Sequence, residues 1–314
     1  MKKHFKKLLL MALMAVMAVG LIACGTDKSD NESTKEEKTS LTITSLDASK
    51  NEIELEVPYN PKRIAILDLA SLDIIDELGV GDRVVGMAST SIDYLEKYSN
   101  DASIKNLGTI KEADLEAVME CEPDIIFIGG RLSKSYDALS EIAPVVYLAT
   151  DTNEGLVNSV SKNAKTIASI FGMEDKVDSL MSDFGARIDA IKKISSGKTA
   201  LVGMTTSGSF NLLGNDGRCS LIGVEAGFNN LTAAGSTSTH GNESSFETVV
   251  QQNPDYIFVM DRDSAISTAG AKTAKEIVEN ELVKTTDAYK NNHIIYLEHS
   301  NVWYTCLLYT SDAA

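Results

Sequence analysis

Six arginines stand among twenty-nine basic residues, and three of them fall where an anionic ligand could be held. Arg131 follows Ile128-Gly129-Gly130 and Arg262 follows Met260-Asp261, each just beyond an apolar run that reads as a buried parallel strand. Open α/β sheets place their ligand crevices outside the carboxyl ends of such strands. Arg218 lies in Leu213-Gly214-Asn215-Asp216-Gly217-Arg218, a glycine-rich loop of the second half. A guanidinium stays charged at physiological pH and offers a planar fork that suits anionic oxygens. Any one of the three could be an ordinary surface charge; as a set they predict a local basic patch between two lobes. Arg63, Arg83 and Arg187 precede a strand, sit in a turn and lie on a helix, and read as solvated charges. His240 belongs to the polar loop Thr239-His240-Gly241-Asn242-Glu243-Ser244, where a histidine is ordinarily solvated. Val302-Trp303-Tyr304 carries the one tryptophan, and aromatics near a loop commonly just pack.

The elements that must position these residues come in two copies. Asp114-Leu-Glu-Ala-Val-Met-Glu-Cys-Glu-Pro-Asp-Ile-Ile-Phe-Ile128 aligns without gaps on Ser245-Phe-Glu-Thr-Val-Val-Gln-Gln-Asn-Pro-Asp-Tyr-Ile-Phe-Val259. Glu116 matches Glu247, Pro123-Asp124 matches Pro254-Asp255, and Arg131 and Arg262 keep the same offset of 131. Each copy reads as a short helix, a Pro-Asp turn and a buried strand. Further apolar runs at 63–67, 84–87, 145–148, 200–204 and 294–297 alternate with helical patterns, including 69–78 and 115–121. Such alternation predicts α/β lobes with largely parallel sheets. Residues 153–172 and 174–194 both read as helix. In the second, Val177, Leu180, Met181, Phe184, Ile188 and Ile191 recur at three- and four-residue spacing. One long helix between two α/β lobes implies a stiff spine and small closing rotations.

The first residues describe export. Lys2, Lys3, Lys6 and Lys7 precede an apolar run over 8–22, too short for a comfortable membrane span and suited to a secretory leader. Leu21-Ile22-Ala23-Cys24-Gly25 resembles the bacterial lipobox, with cleavage before Cys24 and diacylglycerol on its sulfur. Two acyl chains give stable anchoring at about 0.8 kcal/mol per buried CH₂. Residues 25–40 contain no large apolar side chain and read as a flexible tether. The net charge is −16, and losing the four leader lysines takes it to about −20. So acidic a chain argues against nucleic acid as a partner and keeps the bulk surface off anionic lipid. Cys121, Cys219 and Cys306 are far apart, without metal-type spacing, and no disulfide framework is expected. No Gly-x-Ser-x-Gly elbow, phosphate loop or His-Glu-x-x-His occurs, which disfavours an exported α/β enzyme.

The lipobox, the duplicated Glu…Pro-Asp-Ile pattern, the spine helix and Gly-Gly-Arg together resemble the iron-siderophore binding lipoproteins of ABC importers, more narrowly the ferric-catecholate (petrobactin-type) group. The resemblance covers most of residues 41–304. It implies two Rossmann-like lobes joined by one long α-helix, the class III periplasmic-binding-protein type. The division would be a leader over 1–23, a tether over 24–40, an N-terminal lobe over 41–173, the inter-lobe helix over 174–196 and a C-terminal lobe over 197–314. It implies that Arg131, Arg218 and Arg262 surround the anionic ferric siderophore, while His240 and Tyr304 supply conditional iron ligands. Hard Fe(III) suits imidazole and phenolate as supplements to catecholate oxygens. It implies that Glu116 and Glu247 dock on basic pockets of the ABC permease subunits, from a monomer lipid-anchored to the cell membrane through Cys24, palmitate included, on its extracytoplasmic face. No intrinsic cofactor is expected, since the ferric siderophore is the ligand. Haem, cobalamin and hydroxamate siderophores are the alternative ligands, and three arginines count against neutral hydroxamates. The sequence departs from the family pattern after Tyr304: small residues, glycines and a final helix are expected, and Thr305-Cys306-Leu-Leu-Tyr-Thr-Ser-Asp-Ala-Ala314 stands instead. A truncated frame or junction is expected over 306–314, which would remove a helix and leave Tyr304 poorly supported.

Overall fold

A computed structural model describes residues 38–305 except 152–154, 218, 235, 236, 239 and 267; within the last helix the side chains of Val302, Tyr304 and Thr305 are not described. The leader, Cys24, the tether up to residue 37, Arg218 and residues 306–314 therefore lie outside the described residues.

Residues 40–58 form a hairpin of β1 (Ser40–Leu46) and β2 (Glu52–Pro58). Strict alternation makes it: Ile43 and Val57 are buried, while Thr42, Thr44, Glu52, Glu54 and Glu56 face water. The Asp47 carboxylate accepts the Ser49 and Asn51 amides and so closes its turn.

The first sheet contains β3 (Ile64–Leu67), β4 (Val84–Met87), β5 (Lys105–Asn106), β8 (Ile125–Ile128) and β9 (Val145–Tyr147), all parallel, in the order β5-β4-β3-β8-β9. A small hairpin, β6 (Gly108–Thr109) and β7 (Glu112–Ala113), lies between β5 and β8 in the chain. The continuous apolar runs of β3 and β8 follow from burial of both faces. Ile64, Ile66, Ile125 and Phe127 pack under the helices Leu69–Leu78 and Leu156–Phe171. Ala65, Leu67, Ile126 and Ile128 pack under Leu115–Glu120 and Tyr136–Ser140. At the edge, the Tyr147 amide donates to the Ser45 hydroxyl at 3.0 Å and that hydroxyl donates to the Tyr147 carbonyl at 3.3 Å, so the hairpin covers β9.

The second sheet is built from β10 (Thr199–Thr206), β11 (Ser209–Leu212), β12 (Asn229–Asn230), β13 (Asn242–Glu243), β14 (Tyr256–Asp261) and β15 (Ile294–Tyr296), in the order β13-β11-β10-β14-β15 with β12 beside β10. β10, β14 and β15 are parallel. The sheet is largely parallel, as expected, except at one edge, where β11 turns back antiparallel to β10 and β13 runs antiparallel to β11. The two-residue turn from β10 to β11, Ser207 at φ 50° and Gly208 at φ 80°, has the positive dihedrals that match the twist of paired strands.

The expected spine is the helix Glu174–Ser195, with Glu174 and Asp175 in its first turn and Lys192 and Lys193 in its last, complementing the helix dipole. Val177 and Met181 pack into the first core, Ile188 packs on Leu221, and the Ser195 hydroxyl donates to the Ala226 carbonyl. Two further bonds join the lobes. Glu225 Oε1 accepts the Val157 amide at 3.0 Å, capping the helix Leu156–Phe171, whose N-cap residue Gly155 has no side chain to do so. The Asn301 amide donates to the Asp93 carboxylate. Trp303 is half-buried against the second core and the Ile188–Leu221 contact.

Two of the arginines expected to be solvated have structural partners instead. Arg63 Nε donates to the Cys121 and Glu122 carbonyls, and Arg83 Nη1 donates to Asn60 Oδ1 and the Pro61 carbonyl while lying over Phe171.

Candidate functional site

The repeat persists into atomic detail. In the first copy the Asp114 carboxylate caps the helix Leu115–Glu120 by accepting the Ala117 amide; in the second, the Ser245 hydroxyl accepts the Thr248 amide at the start of Phe246–Gln252. Both helices end on a left-handed residue, Glu122 at φ 43° and Asn253 at φ 40°, directly before the proline. The aspartate that follows fastens the neighbouring parallel strand. Asp124 Oδ2 accepts the Lys62 and Arg63 amides at 2.7 and 2.9 Å ahead of β3. Asp255 Oδ2 accepts the Thr199 amide and hydroxyl, both at 2.9 Å, at the start of β10. These bonds hold the Asp255 carboxyl below the usual carboxylate range.

Each strand then delivers an arginine at its carboxyl end. Arg131, in the turn Gly130–Ser135, is exposed and has no hydrogen-bond or ion-pair partner among the described residues. Arg262 opens the short helix Arg262–Ala265 and is half-buried. Its Nη1 donates to Thr206 Oγ1 at 3.2 Å and meets Asp263 Oδ1 at 3.4 Å. The buried Asp263 also accepts the Ser207 amide at 2.6 Å, so one carboxylate ties Arg262 to the turn at the end of β10.

The two glycines before Arg131 have a steric cause. A Cβ on Gly129 would lie 2.6 Å from Asp68 Oδ1, and one on Gly130 would lie 3.2 Å from the Tyr147 hydroxyl. The chain passes between a carboxyl at the end of β3 and a phenol at the end of β9. Asp68 Oδ2 caps the helix Leu69–Leu78, accepting the Ser71 amide at 2.9 Å and its hydroxyl at 2.8 Å. Burial pushes the Asp68 carboxyl up despite those two bonds, and burial raises the Tyr147 phenol too.

His240 is exposed, two residues before β13, with its carbonyl accepting from the Asn211 amide at 2.8 Å. β11 and β10 lie between β13 and β14, so β13 itself stands three strand spacings, about 14 Å, from the strand of Arg262. Tyr304 lies on the helix Ser300–Thr305, and the Ser300 hydroxyl accepts the Asp261 amide at 3.0 Å, which brings that helix to the end of the Arg262 strand. The Tyr304 side chain lies outside the described residues, as does Arg218. Glu116 and Glu247 occupy matched first-turn positions and are exposed. Glu116 has no partner among the described residues, and the carboxyl of Glu247 is lowered by its own amide and by the Ser245 hydroxyl.

Sequence reasoning missed Asp68, Tyr147, Thr206 and Asp263. The tandem glycine before Arg131 was the one local signal of the first pair; the contacts of the second pair arise only from the pairing of β10 with β14.

Comparison with known proteins gives the family of the fold. The chain is 37% identical over 309 residues to the petrobactin-binding protein YclQ of Bacillus subtilis, covering 95% of this chain and 93% of YclQ. The crystal structure of YclQ superposes with a TM-score of 0.77 at 36% identity, over 87% of this chain and 95% of that one. The periplasmic catecholate-siderophore binding protein VctP of Vibrio cholerae gives a TM-score of 0.77 at 29% identity, over 87% and 97%. A putative ABC transporter substrate-binding lipoprotein of Bacillus subtilis, YhfQ, is 25% identical over 315 residues, 95% of this chain and 92% of YhfQ. Siderophore-binding proteins are thus among the relatives, and residues 64–300 match the periplasmic binding protein model: the chain belongs to the periplasmic binding protein family.

Proposed function

We propose that this protein is the extracytoplasmic binding component of an ABC importer, lipid-anchored through Cys24, which captures a ferric siderophore of the catecholate class and presents it to permease subunits. The observation that carries the reading is the matched pair Arg131 and Arg262, each at the carboxyl end of a duplicated strand, one in each lobe. On a chain of net charge −16, arginines kept at matched strand ends call for a purpose. An anionic complex supplies one, because charge-assisted hydrogen bonds contribute about 1.5–3 kcal/mol each. The relatives named above support the siderophore class. Arg218 completes the cationic set in this reading, and His240 and Tyr304 serve iron only where the siderophore leaves coordination sites open. Glu116 and Glu247 present carboxylates for basic pockets on the permease.

The test is a titration of the protein with a trianionic ferric catecholate and, separately, a neutral ferric hydroxamate, followed by Trp303 fluorescence. The expected result is saturable one-to-one quenching by the catecholate and none by the hydroxamate at the same concentrations. Equal or tighter binding of the hydroxamate, haem or cobalamin would overturn the assignment.

A further inference from the structure

The first lobe carries a pair of polar groups whose free atoms the fold does not use. Asp68 divides its oxygens: Oδ2 caps its helix, while Oδ1, over Gly129, has no hydrogen-bond partner among the described residues. The Tyr147 ring is buried, 1% exposed, and its hydroxyl, against Gly130, likewise has no partner there. Neither oxygen is among the fully buried polar atoms left unpaired, so each is open to solvent and to a ligand. Both atoms stand at the carboxyl ends of β3 and β9, on either side of β8, whose end carries Arg131. Adding a side chain at either glycine would push into one of these groups, so the tandem glycine keeps the row intact.

Resting on the proposed siderophore reading, we propose that Asp68 and Tyr147 form a specificity-determining pair flanking Arg131: the Tyr147 hydroxyl donates to an anionic ligand oxygen, and Asp68 Oδ1 accepts an N–H that the ligand carries beside it. An ionised carboxylate a few ångströms from an anion site is unfavourable unless the ligand brings a donor to meet it. The ligand class this selects is a chelate with anionic oxygens adjacent to an amide or ammonium group. A ligand with a bare second carboxylate at that position is rejected. The pair thus adds discrimination to the attraction that Arg131 supplies.

Two simple probes separate the parts: the ferric complexes of 2,3-dihydroxybenzamide, which has the N–H, and of 2,3-dihydroxybenzoate, which has a carboxylate instead. The protein is expected to prefer the benzamide complex by about tenfold. Tyr147→Phe keeps the ring and weakens both complexes by about tenfold. Asp68→Asn keeps a competent helix cap and narrows the preference to within about twofold; Asp68→Ser, a second capping residue, does the same. Unfolding temperatures of all three variants within a few degrees of the parent exclude a merely structural effect. Unchanged affinity in Tyr147→Phe, or an intact preference in both Asp68 variants, overturns the pair while leaving the siderophore reading standing. Failure of the parent to bind either complex overturns both.

Discussion

The two copies of the repeat share helix, cap, left-handed residue, Pro-Asp turn and strand, yet they prepare their arginines differently. Arg131 stands exposed on a glycine-borne turn, with no partner among the described residues. Arg262 is half-buried and held by Thr206 and Asp263. A duplicated segment therefore fixes where an arginine emerges, and the non-duplicated neighbours decide whether it is held ready or left free. The difference arises at one place: the Ser207-Gly208 turn lets β11 fold back beside β10 and offers Thr206 and the Ser207 amide to the second copy.

The sharpest way to break this contrast is to delete each arginine. Arg262→Ala is expected to have the largest effect. It removes about 1.5 kcal/mol or more of binding to a trianionic ferric complex, and it also leaves buried Asp263 without its cation, lowering folding stability by about 1–3 kcal/mol. Arg131→Ala loses comparable affinity with no change in unfolding temperature. Equal thermal losses in both variants, or none in either, would erase the distinction between a held and a free arginine.

Next in size come the strand fasteners. Asp124→Ala and Asp255→Ala each free two donors at the start of a strand, and a loss of about 1–2 kcal/mol is expected for both in urea unfolding. A cost confined to one copy would show that the repeat is equivalent in shape but not in energetics. A smaller effect concerns acid. Because hydrogen bonds from Thr199 depress the folded pKa of Asp255, its contribution is present above the unfolded value of about 3.9 and is lost as pH falls through the folded one. Asp255→Asn should flatten that acid limb, and a limb of unchanged steepness would assign it to other carboxyls. Least affected in the isolated protein are Glu116→Gln and Glu247→Gln, which should shift affinity and stability by no more than about 0.5 kcal/mol. Uptake by the assembled importer should fall in the double variant, and undiminished uptake would remove these residues from the docking surface.

Much of the scaffold was legible because its signals are local. The runs at 84–87 and 125–128 and the helix at 69–78 appear at their expected bounds, and the spine ends one residue later than expected. The Pro-Asp turns could be paired from their offset alone. The hairpin of β1 and β2 was not anticipated, although Leu41, Ile43, Ile53, Leu55 and Val57 alternate with polar residues at period two. It sits between an apolar-poor tether and a strong buried run that set the expected start of the sheets. Partners 56 residues apart, such as Arg262 with Thr206, follow from sheet order and have no signature in spacing. Arg63 and Arg83 show the same limit. A guanidinium beside a strand reads as solvent-facing until the carbonyls it clamps are brought to it.

The carboxylate that Glu225 lends to Val157 has a consequence for measurement. That amide opens the helix Leu156–Phe171, yet its acceptor belongs to the other lobe. Its exchange with deuterated solvent is therefore a clock for separation of the lobes, while the amides one turn further along time the fraying of the helix itself. A ligand that clamps the lobes should slow the first clock and leave the second running at its own rate.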